Sequence, residues 1–305
     1  MPIETIAWLL TDIEGTYIDC TLGGGGHASR ILQKLGPAGK LVGIDQDEAA
    51  IAHVQELWGG DPRVTLIRTN FENVKACLEE RNLLPVQGML FDLGVSSPQL
   101  DQSARGFSYK HDAPLDMRMN PDAGLTAAQI INTRSEADLT RIMREYGEER
   151  WASRIAHFVV QRRRQQPIET TGQLVDLIKA AIPAAARRQG PHPAKRTFQA
   201  LRIEVNRELE VLSSALDQAL VCLGLGGRLA VITFHSLEEK IVTQKIRSWL
   251  GRCVCPPGLP ECRCGARAYV RILTRKPLAP SPKEIAGNPR ARSAKLRVVE
   301  KTVPV

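Results

Sequence analysis

Residues 16–27, Thr-Tyr-Ile-Asp-Cys-Thr-Leu-Gly-Gly-Gly-Gly-His, constrain the fold of this chain more than any other stretch. An apolar pair leads to Asp19, four consecutive glycines follow at Gly23–Gly26, and a helix-like segment occupies residues 29–35. The pattern predicts a strand, a tight turn and a helix. Glycine suits such a turn because it adopts positive φ without strain and has no Cβ to exclude a ligand. The stretch therefore predicts a ligand-binding turn, with an ordinary turn between strand and helix as the alternative.

A second predicted strand, residues 41–45, ends in Asp45. Nucleotide-binding folds place a carboxylate on ribose hydroxyls about 20 residues after their glycines. The dinucleotide fingerprint spaces those glycines as G-x-G-x-x-G, whereas here they are contiguous and Asp19 precedes them. A carboxylate at that position would repel a pyrophosphate but could hold an ammonium group. S-adenosylmethionine has an amino-acid tail, a sulfonium and a ribose and no phosphate, so the sequence favours it over NAD.

Strands and helices alternate through the first part of the chain. Further strands are predicted at residues 63–68 and within 85–92, and helices at 48–57 and 72–82. This alternation predicts an α/β fold, a parallel sheet with helices on both faces. Ligands bind such sheets at the carboxyl ends of the strands, and Asp19, Asp45, Phe71 and Asp92 all fall at predicted strand ends.

The middle of the chain carries helical patterns without strands. After a predicted loop at 93–101, helices are predicted at 126–132, 136–146, 148–163 and 171–181, with Ser135 and the pair Thr170-Thr171 as caps. The α/β pattern resumes with a long helix at 197–223, a strand at 226–234, a helix from 235 to about 249, and an antiparallel edge hairpin of 269–274 with 295–300. We therefore predict a core of residues 1–103 and 197–305, and an inserted helical domain at 104–196 for substrate recognition.

Composition narrows the class of protein. The 305 residues suffice for one large or two modest domains. A net charge of +8 permits a polyanionic partner, while an aromatic content of 5% argues against a broad base-stacking platform. No apolar run approaches a membrane span, and the N-terminus lacks the regions of a signal peptide. We expect a cytoplasmic protein without a membrane partner.

The seven cysteines form two groups. Cys20, Cys77 and Cys222 lie in apolar surroundings and are predicted to be small buried hydrophobes. A C-x-C pair repeats nearby in the chain at Cys253, Cys255, Cys262 and Cys264. Those thiols could bind structural zinc or remain plain thiols, and we predict no catalytic metal.

The residues after the fourth strand are the candidate catalytic loop, Asp92 followed by Ser96, Ser97 and Pro98. The exocyclic amine of a base is a poor nucleophile because its lone pair is delocalised. An enzyme must accept hydrogen bonds from that amine and direct the lone pair at the methyl carbon. Amino-methyltransferases commonly carry an Asp/Asn/Ser-Pro-Pro-aromatic run here, from which this chain departs with one proline and no aromatic. A Ser-Pro turn that closes the strand is the alternative.

Other candidates each have a structural alternative. Phe71 could pack on an adenine or belong to the core, and His27 could contact the cofactor or cap a helix. His235 could contact a substrate base or phosphate, but it has no visible triad partners for hydrolase chemistry. Basic side chains suited to phosphate contacts, or to a solvated helix face, cluster at 162–164, 187–188, 195–196 and 290–297.

Several long motifs carry a resemblance to one family. They are residues 17–27, 92–101, 105–108, 114–119, 146–150, 192–200, 234–238 and 288–293. With these stretches the chain resembles the bacterial 16S rRNA cytosine-N4-methyltransferases, the MraW-type enzymes. The resemblance covers nearly the whole chain. The sequence differs from the family pattern at its first residues, which are Met1-Pro-Ile-Glu instead of the family's His-x-Pro-Val-Leu-like segment.

The resemblance implies a class I S-adenosylmethionine-dependent methyltransferase, with a Rossmann-like sheet and an inserted all-helical domain. It implies methyl transfer to N4 of one cytidine in the decoding region of 16S rRNA in the small ribosomal subunit, and it allows a homodimer. By motif match it assigns cofactor binding to Gly25, Gly26, His27, Asp45, Phe71, Asp92 and Gln99. Two rival interpretations stay open, a DNA amino-methyltransferase and an RNA-binding protein that keeps the fold as a scaffold.

Overall fold

The structure is a computed structural model that describes residues 1–122, 124–188, 190, 192–251, 255 and 266–305, with the backbone alone for residue 97. Within these ranges the chain divides into two compact units. Unit 1 comprises Met1–Gly94 and Leu209–Val305, and unit 2 comprises Val95–Glu208. The sequence prediction places the corresponding boundaries after residues 103 and 196.

Unit 1 is built on a sheet. Its strands are β1 (Thr16–Asp19), β2 (Lys40–Asp45), β3 (Val64–Arg68), β4 (Val86–Asp92), β5 (Leu223–Thr233), β6 (Val270–Ile272) and β7 (Lys295–Lys301). Among the described residues these form one seven-stranded sheet in the order β3-β2-β1-β4-β5-β7-β6. β1 to β5 pair in parallel, and β7 pairs antiparallel with both β5 and β6. This topology confirms the predicted Rossmann-like α/β class and the antiparallel hairpin at its edge.

Helices surround the sheet and build unit 2. In chain order they are α1 (Pro2–Leu9), α2 (Gly26–Leu32), α3 (Glu48–Trp58), α4 (Val74–Glu80), α5 (Ser97–Asp101), α6 (Ala127–Thr133), α7 (Glu136–Glu145), α8 (Ala152–Arg163), α9 (Thr171–Ala181), α10 (Ala184–Arg187), α11 (Lys195–Asn206), α12 (Glu208–Cys222), α13 (Ser236–Trp249) and α14 (Pro282–Gly287). Short 3₁₀ helices occupy Phe71–Asn73, Ser103–Arg105 and Pro289–Ser293. None of the helices in the described ranges is long and apolar enough to cross a membrane.

Both faces of the sheet are buried, because successive residues of a strand point to opposite sides. Ile18 and Met89 pack into one core together with α12 and α13. Tyr17 and Leu90, their neighbours in the chain, pack into a second core with α1 and α2. The strands therefore read as nearly continuous apolar runs, as expected for parallel strands covered by helices.

Unit 2 has a separate helical core. Helix α9 lies where the sequence predicted it, and Ser135 and Thr170 cap α7 and α9 as predicted. The prediction was wrong in two places. Residues 93–101 are not all loop, because α5 begins at Ser97. The long helix predicted at 197–223 is two helices, since Arg207 adopts a left-handed φ of 49° between α11 and α12.

Candidate functional site

The strand order brings the predicted acidic residues to one edge of the sheet. β1 lies between β2 and β4, and Asp19, Asp45 and Asp92 are the last residues of these three strands. Because the strands are parallel, their carboxyl ends meet at the same edge. The glycine loop and α2 follow β1 directly, so loop and carboxylates form one candidate site in unit 1.

Asp45 ties the glycine loop to β2. The Gly23 N–H donates to Asp45 Oδ2 at 2.8 Å, and the Asp47 N–H donates to Asp45 Oδ1 at 2.9 Å. Burial raises the pKa of Asp45 above its ordinary value, although both N–H groups act in the opposite direction. The carboxylate therefore shapes the loop, in addition to the ribose contact that the sequence predicts.

The loop has a packed side and an open side. Gly25 is buried with a φ of 76°, and a Cβ on it would lie 2.8 Å from the Trp58 ring. A Cβ on Gly24 or Gly26 would meet no atom within 4 Å. On the open side a ligand can therefore approach the backbone of the loop closely.

His27 and Asp92 form a pair beside the loop. His27 Nδ1 lies 3.4 Å from Asp92 Oδ2, and the two side chains are 12% and 31% exposed. Burial lowers the pKa of His27, but the hydrogen bond and charge of Asp92 and the charge of Asp19 outweigh it, so the pKa lies above the ordinary value. His27 Nε2 and Asp92 Oδ1 are buried and have no hydrogen-bond partner among the described residues. Buried polar atoms are normally satisfied, so this pair of atoms indicates a ligand site.

Asp19 is the most deeply buried of the three carboxylates, at 1% exposed. Burial, with smaller contributions from Asp92 and Asp45, raises its pKa to about 6, against the opposing effects of His27 and the Thr21 N–H. The Thr21 N–H donates to Asp19 Oδ1 at 3.2 Å, and Thr21 Oγ1 accepts from the Asp92 N–H at 2.7 Å. Two carboxylates, Asp19 and Asp92, act on the His27 imidazole, and Asp45 acts on Asp19; this concentration of acidic groups suits a ligand with positive charge, such as an ammonium or a sulfonium.

Phe71 follows β3 as predicted, and its contacts are largely those of a core residue. Its ring meets the ring of Phe91 edge to face, with centroids 5.5 Å apart. Phe71 packs against the core of unit 1 that contains Ile18 and Met89. The neighbouring Asn70 caps the 3₁₀ helix through Glu72 N and donates to Gln46. Phe71 remains half-buried, so its outer surface is free of the core.

The remaining loop candidates belong to unit 2. Ser96 and Gln99 form a capping box on α5: the Ser96 N–H donates to Gln99 Oε1 at 3.1 Å, and the Gln99 N–H donates to Ser96 Oγ at 3.4 Å. Gln99 is buried, and Pro98 is exposed in the first turn. The side chain of Ser97 lies outside what the structure describes. Sequence reasoning missed this helix although Ser96-x-x-Gln99 is a capping-box pattern.

His235 is the N-cap of α13. The Glu238 N–H donates to His235 Nδ1 at 3.4 Å, and the buried Glu238 accepts from the N–H groups of Phe234 and His235. These contacts give His235 a structural role at the start of α13, which the sequence did not predict for it.

Some of the basic side chains that the sequence suggests for phosphate contacts instead bind other groups of the protein. Arg297 binds Glu239 through Nε and Nη2, Arg163 donates to the Ile131 carbonyl, and Arg196 donates to the Glu148 carbonyl. These guanidinium groups stabilise the fold.

The described cysteines agree with the sequence prediction in part. Cys20 and Cys222 are buried, as predicted, and Cys77 is half-buried. Burial raises the pKa of Cys20 well above its ordinary value and that of Cys222 to about 11. Cys253, Cys262 and Cys264 lie outside the described residues, so the predicted choice between zinc and plain thiols stays open.

Comparison with known proteins finds a matching family model and several similar curated proteins. The model of the MraW methylase family matches residues 1–302. Three similar curated proteins carry the name ribosomal RNA small subunit methyltransferase H. That of Symbiobacterium thermophilum is 56% identical over 299 residues, covering 98% of this chain and 94% of the relative. That of Heliobacterium modesticaldum is 56% identical over 290 residues (94% and 93%), and that of Brevibacillus brevis is 54% identical over 288 residues (94% and 92%).

Proposed function

The chain belongs to the MraW methylase family, and from this premise we propose that it methylates the N4 amine of a cytidine in the decoding region of 16S rRNA. The methyl donor is S-adenosylmethionine, and the substrate is RNA of the small ribosomal subunit. The names of the curated relatives support the rRNA substrate. The N4 position and the decoding region come from the resemblance of the sequence motifs.

The residues of the glycine loop fit this cofactor. The open side at Gly26 leaves room for a ligand against the backbone of Gly25, Gly26 and His27, and Asp45 would hold the ribose hydroxyls. The outer surface of Phe71 would pack on the adenine, and Gln99 is proposed from the motif match. When bound, the cofactor supplies a methyl group that its sulfonium makes electrophilic.

The observation that carries the proposed amine substrate is the free oxygen of Asp92. Oδ1 is buried and has no hydrogen-bond partner among the described residues, while Oδ2 faces His27. An acceptor of this kind can bind an N–H of the amine and turn the nitrogen lone pair toward the methyl carbon. Ser96, Ser97 and Pro98 follow Asp92 in the chain, and we propose them as further acceptors for the same group.

Recognition of the RNA is proposed for the helical unit 2. The target cytidine would leave its stack to reach the carboxylate, as bases do in enzymes that modify them. The net charge of +8 is favourable for a phosphate backbone. A cytoplasmic location and a homodimer remain parts of the proposal.

A transfer assay tests the substrate class. Labelled S-adenosylmethionine would be incubated with the protein and small ribosomal subunits from cells that lack the modification, with free rRNA, and with duplex DNA. We expect label in the ribosomal substrate. Label in DNA alone would instead support a DNA amino-methyltransferase, and a protein that binds no cofactor would support the scaffold interpretation.

A further inference from the structure

The side chain of His27 makes a contact that cofactor binding by the loop backbone does not explain. Its Nδ1 faces Asp92 Oδ2 at 3.4 Å. A carboxylate only accepts hydrogen bonds, so Nδ1 carries the proton of the neutral ring, and Nε2 is left with a lone pair. Nε2 is buried without a partner among the described residues. The ring therefore presents an unused, buried proton acceptor at the candidate site.

We propose that His27 Nε2 accepts the proton that the target amine releases, and that Asp92 holds the imidazole in the tautomer and orientation for this step. The inference rests on the proposed function and adds to it an assignment of the proton. His27 then has two roles: its backbone is part of the glycine loop that binds the cofactor, and its side chain accepts the proton.

The chemistry requires such an acceptor. The amine nitrogen forms a bond to the methyl carbon, and the carbon–sulfur bond breaks with its electron pair remaining on sulfur. The nitrogen then carries one surplus proton, which moves to the lone pair of Nε2. The positive charge that leaves the sulfonium is thereby taken up as an imidazolium. Asp92 stabilises that imidazolium in the way the aspartate of a catalytic triad does.

The charges around His27 determine its pH dependence. Asp92 and Asp19 raise the pKa of the imidazole, while burial and the charge of the Met1 amine lower it, and the balance lies above the ordinary value of 6.5. An acceptor must be unprotonated. The kcat/KM of methyl transfer should therefore fall as the pH drops through the raised pKa of His27.

His27→Asn is the variant that separates positioning from proton acceptance. The asparagine amide can still donate to Asp92 in place of Nδ1, but it has no counterpart of Nε2. We expect kcat on small subunits to fall about 100-fold, the acidic limb of the pH profile to disappear, and the Kd for S-adenosylhomocysteine to change by less than about threefold. A kcat within about threefold of the parent, or a retained acidic limb, would overturn the proposal.

His157→Asn is the matched control. His157 Nδ1 also lies 3.4 Å from a carboxylate, that of Glu136, but the two side chains are 54% and 45% exposed. This variant should keep both the rate and the acidic limb, and a loss of the limb in it would contradict the assignment to His27.

A spectroscopic measurement tests the same pair without turnover. Nitrogen-15 NMR of the ligand-free protein should show His27 protonated on Nδ1 in its neutral form and titrating above 6.5. Asp92→Asn should lower that pKa. A neutral ring protonated on Nε2, or a titration that Asp92→Asn leaves unchanged, would overturn the proposal whatever the substrate is. A parent protein that shows the NMR behaviour but labels no rRNA would instead contradict the proposed function.

Discussion

Alanine substitution should have different effects at Gly25, on the packed side of the glycine loop, and at the adjacent Gly26, on its open side. A methyl group at Gly25 would enter the left-handed region at a φ of 76° and lie 2.8 Å from the Trp58 ring. A methyl group at Gly26, the first residue of α2, would meet no protein atom within 4 Å. Gly25→Ala should therefore damage the fold, and Gly26→Ala should damage only the binding of the cofactor.

The magnitudes follow from the two environments. The left-handed conformation costs an alanine about 1–2 kcal/mol, and overpacking against a ring adds about 1–3 kcal/mol. Gly25→Ala should thus lower the free energy of unfolding by about 2–5 kcal/mol. Gly26→Ala should leave it unchanged or raise it by up to about 1 kcal/mol, because alanine is favoured over glycine in a helix.

Binding should show the complementary result. If the cofactor lies against the open side of the loop, the methyl group of Gly26→Ala occupies part of its space. We expect the Kd for S-adenosylhomocysteine, measured by isothermal titration calorimetry, to rise at least about tenfold, or about 1.4 kcal/mol. Urea unfolding followed by circular dichroism measures the stability of both variants.

Gly60→Ala is the control, since its Cβ would also meet nothing within 4 Å and the residue is exposed and outside the glycine loop. It should change neither stability nor binding. Unaltered affinity in Gly26→Ala would refute the placement of the cofactor. Equal stability of Gly25→Ala and Gly26→Ala would refute the reasoning about backbone and packing.

Three further substitutions test the carboxylates. Asp45→Ala removes the acceptor of the Gly23 N–H and should weaken cofactor binding by about 1.5–3 kcal/mol; calorimetry that finds the parent Kd would contradict this role. Asp92→Ala should reduce turnover at least about 100-fold in a labelled transfer assay, and near-normal turnover would contradict its assignment. The pKa of the Asp19 carboxyl is raised from 3.8 to about 6 in the folded protein. The folded state therefore binds this proton more tightly than the unfolded state does. As a result, Asp19 lowers the free energy of unfolding increasingly as the pH rises from about 4 to about 6. Asp19→Asn should therefore stabilise the protein by about 3 kcal/mol at pH 7 and by progressively less toward pH 4; urea unfolding that shows the same difference at both pH values would contradict the raised pKa.

The local parts of the site were predictable from the sequence because each follows from a short pattern. An apolar run that ends in an acid identifies Asp19, Asp45 and Asp92 as residues at strand ends, and the glycines identify the turn. The pairing of His27 with Asp92 was not predictable, because it depends on β4 lying next to β1. No spacing between two residues in a sequence specifies that order of strands.

The break between α11 and α12 was unpredictable for a similar reason. Arg207 is an ordinary helix former, yet it adopts a left-handed φ. The preceding Asn206 accepts from the Met119 N–H at 2.8 Å and donates to the Met117 carbonyl at 2.9 Å. Contacts with a distant segment therefore stabilise a break that local propensity disfavours.

The identity of the methylated nucleoside tests the central claim most directly. Small-subunit rRNA labelled by the protein would be digested to nucleosides and separated against standards. We predict that the label elutes with N4-methylcytidine, because the free oxygen of Asp92 and the lone pair of His27 Nε2 suit an exocyclic amine. Label in 5-methylcytidine or in a 2′-O-methylated nucleoside would contradict the account, because neither product arises from an amine.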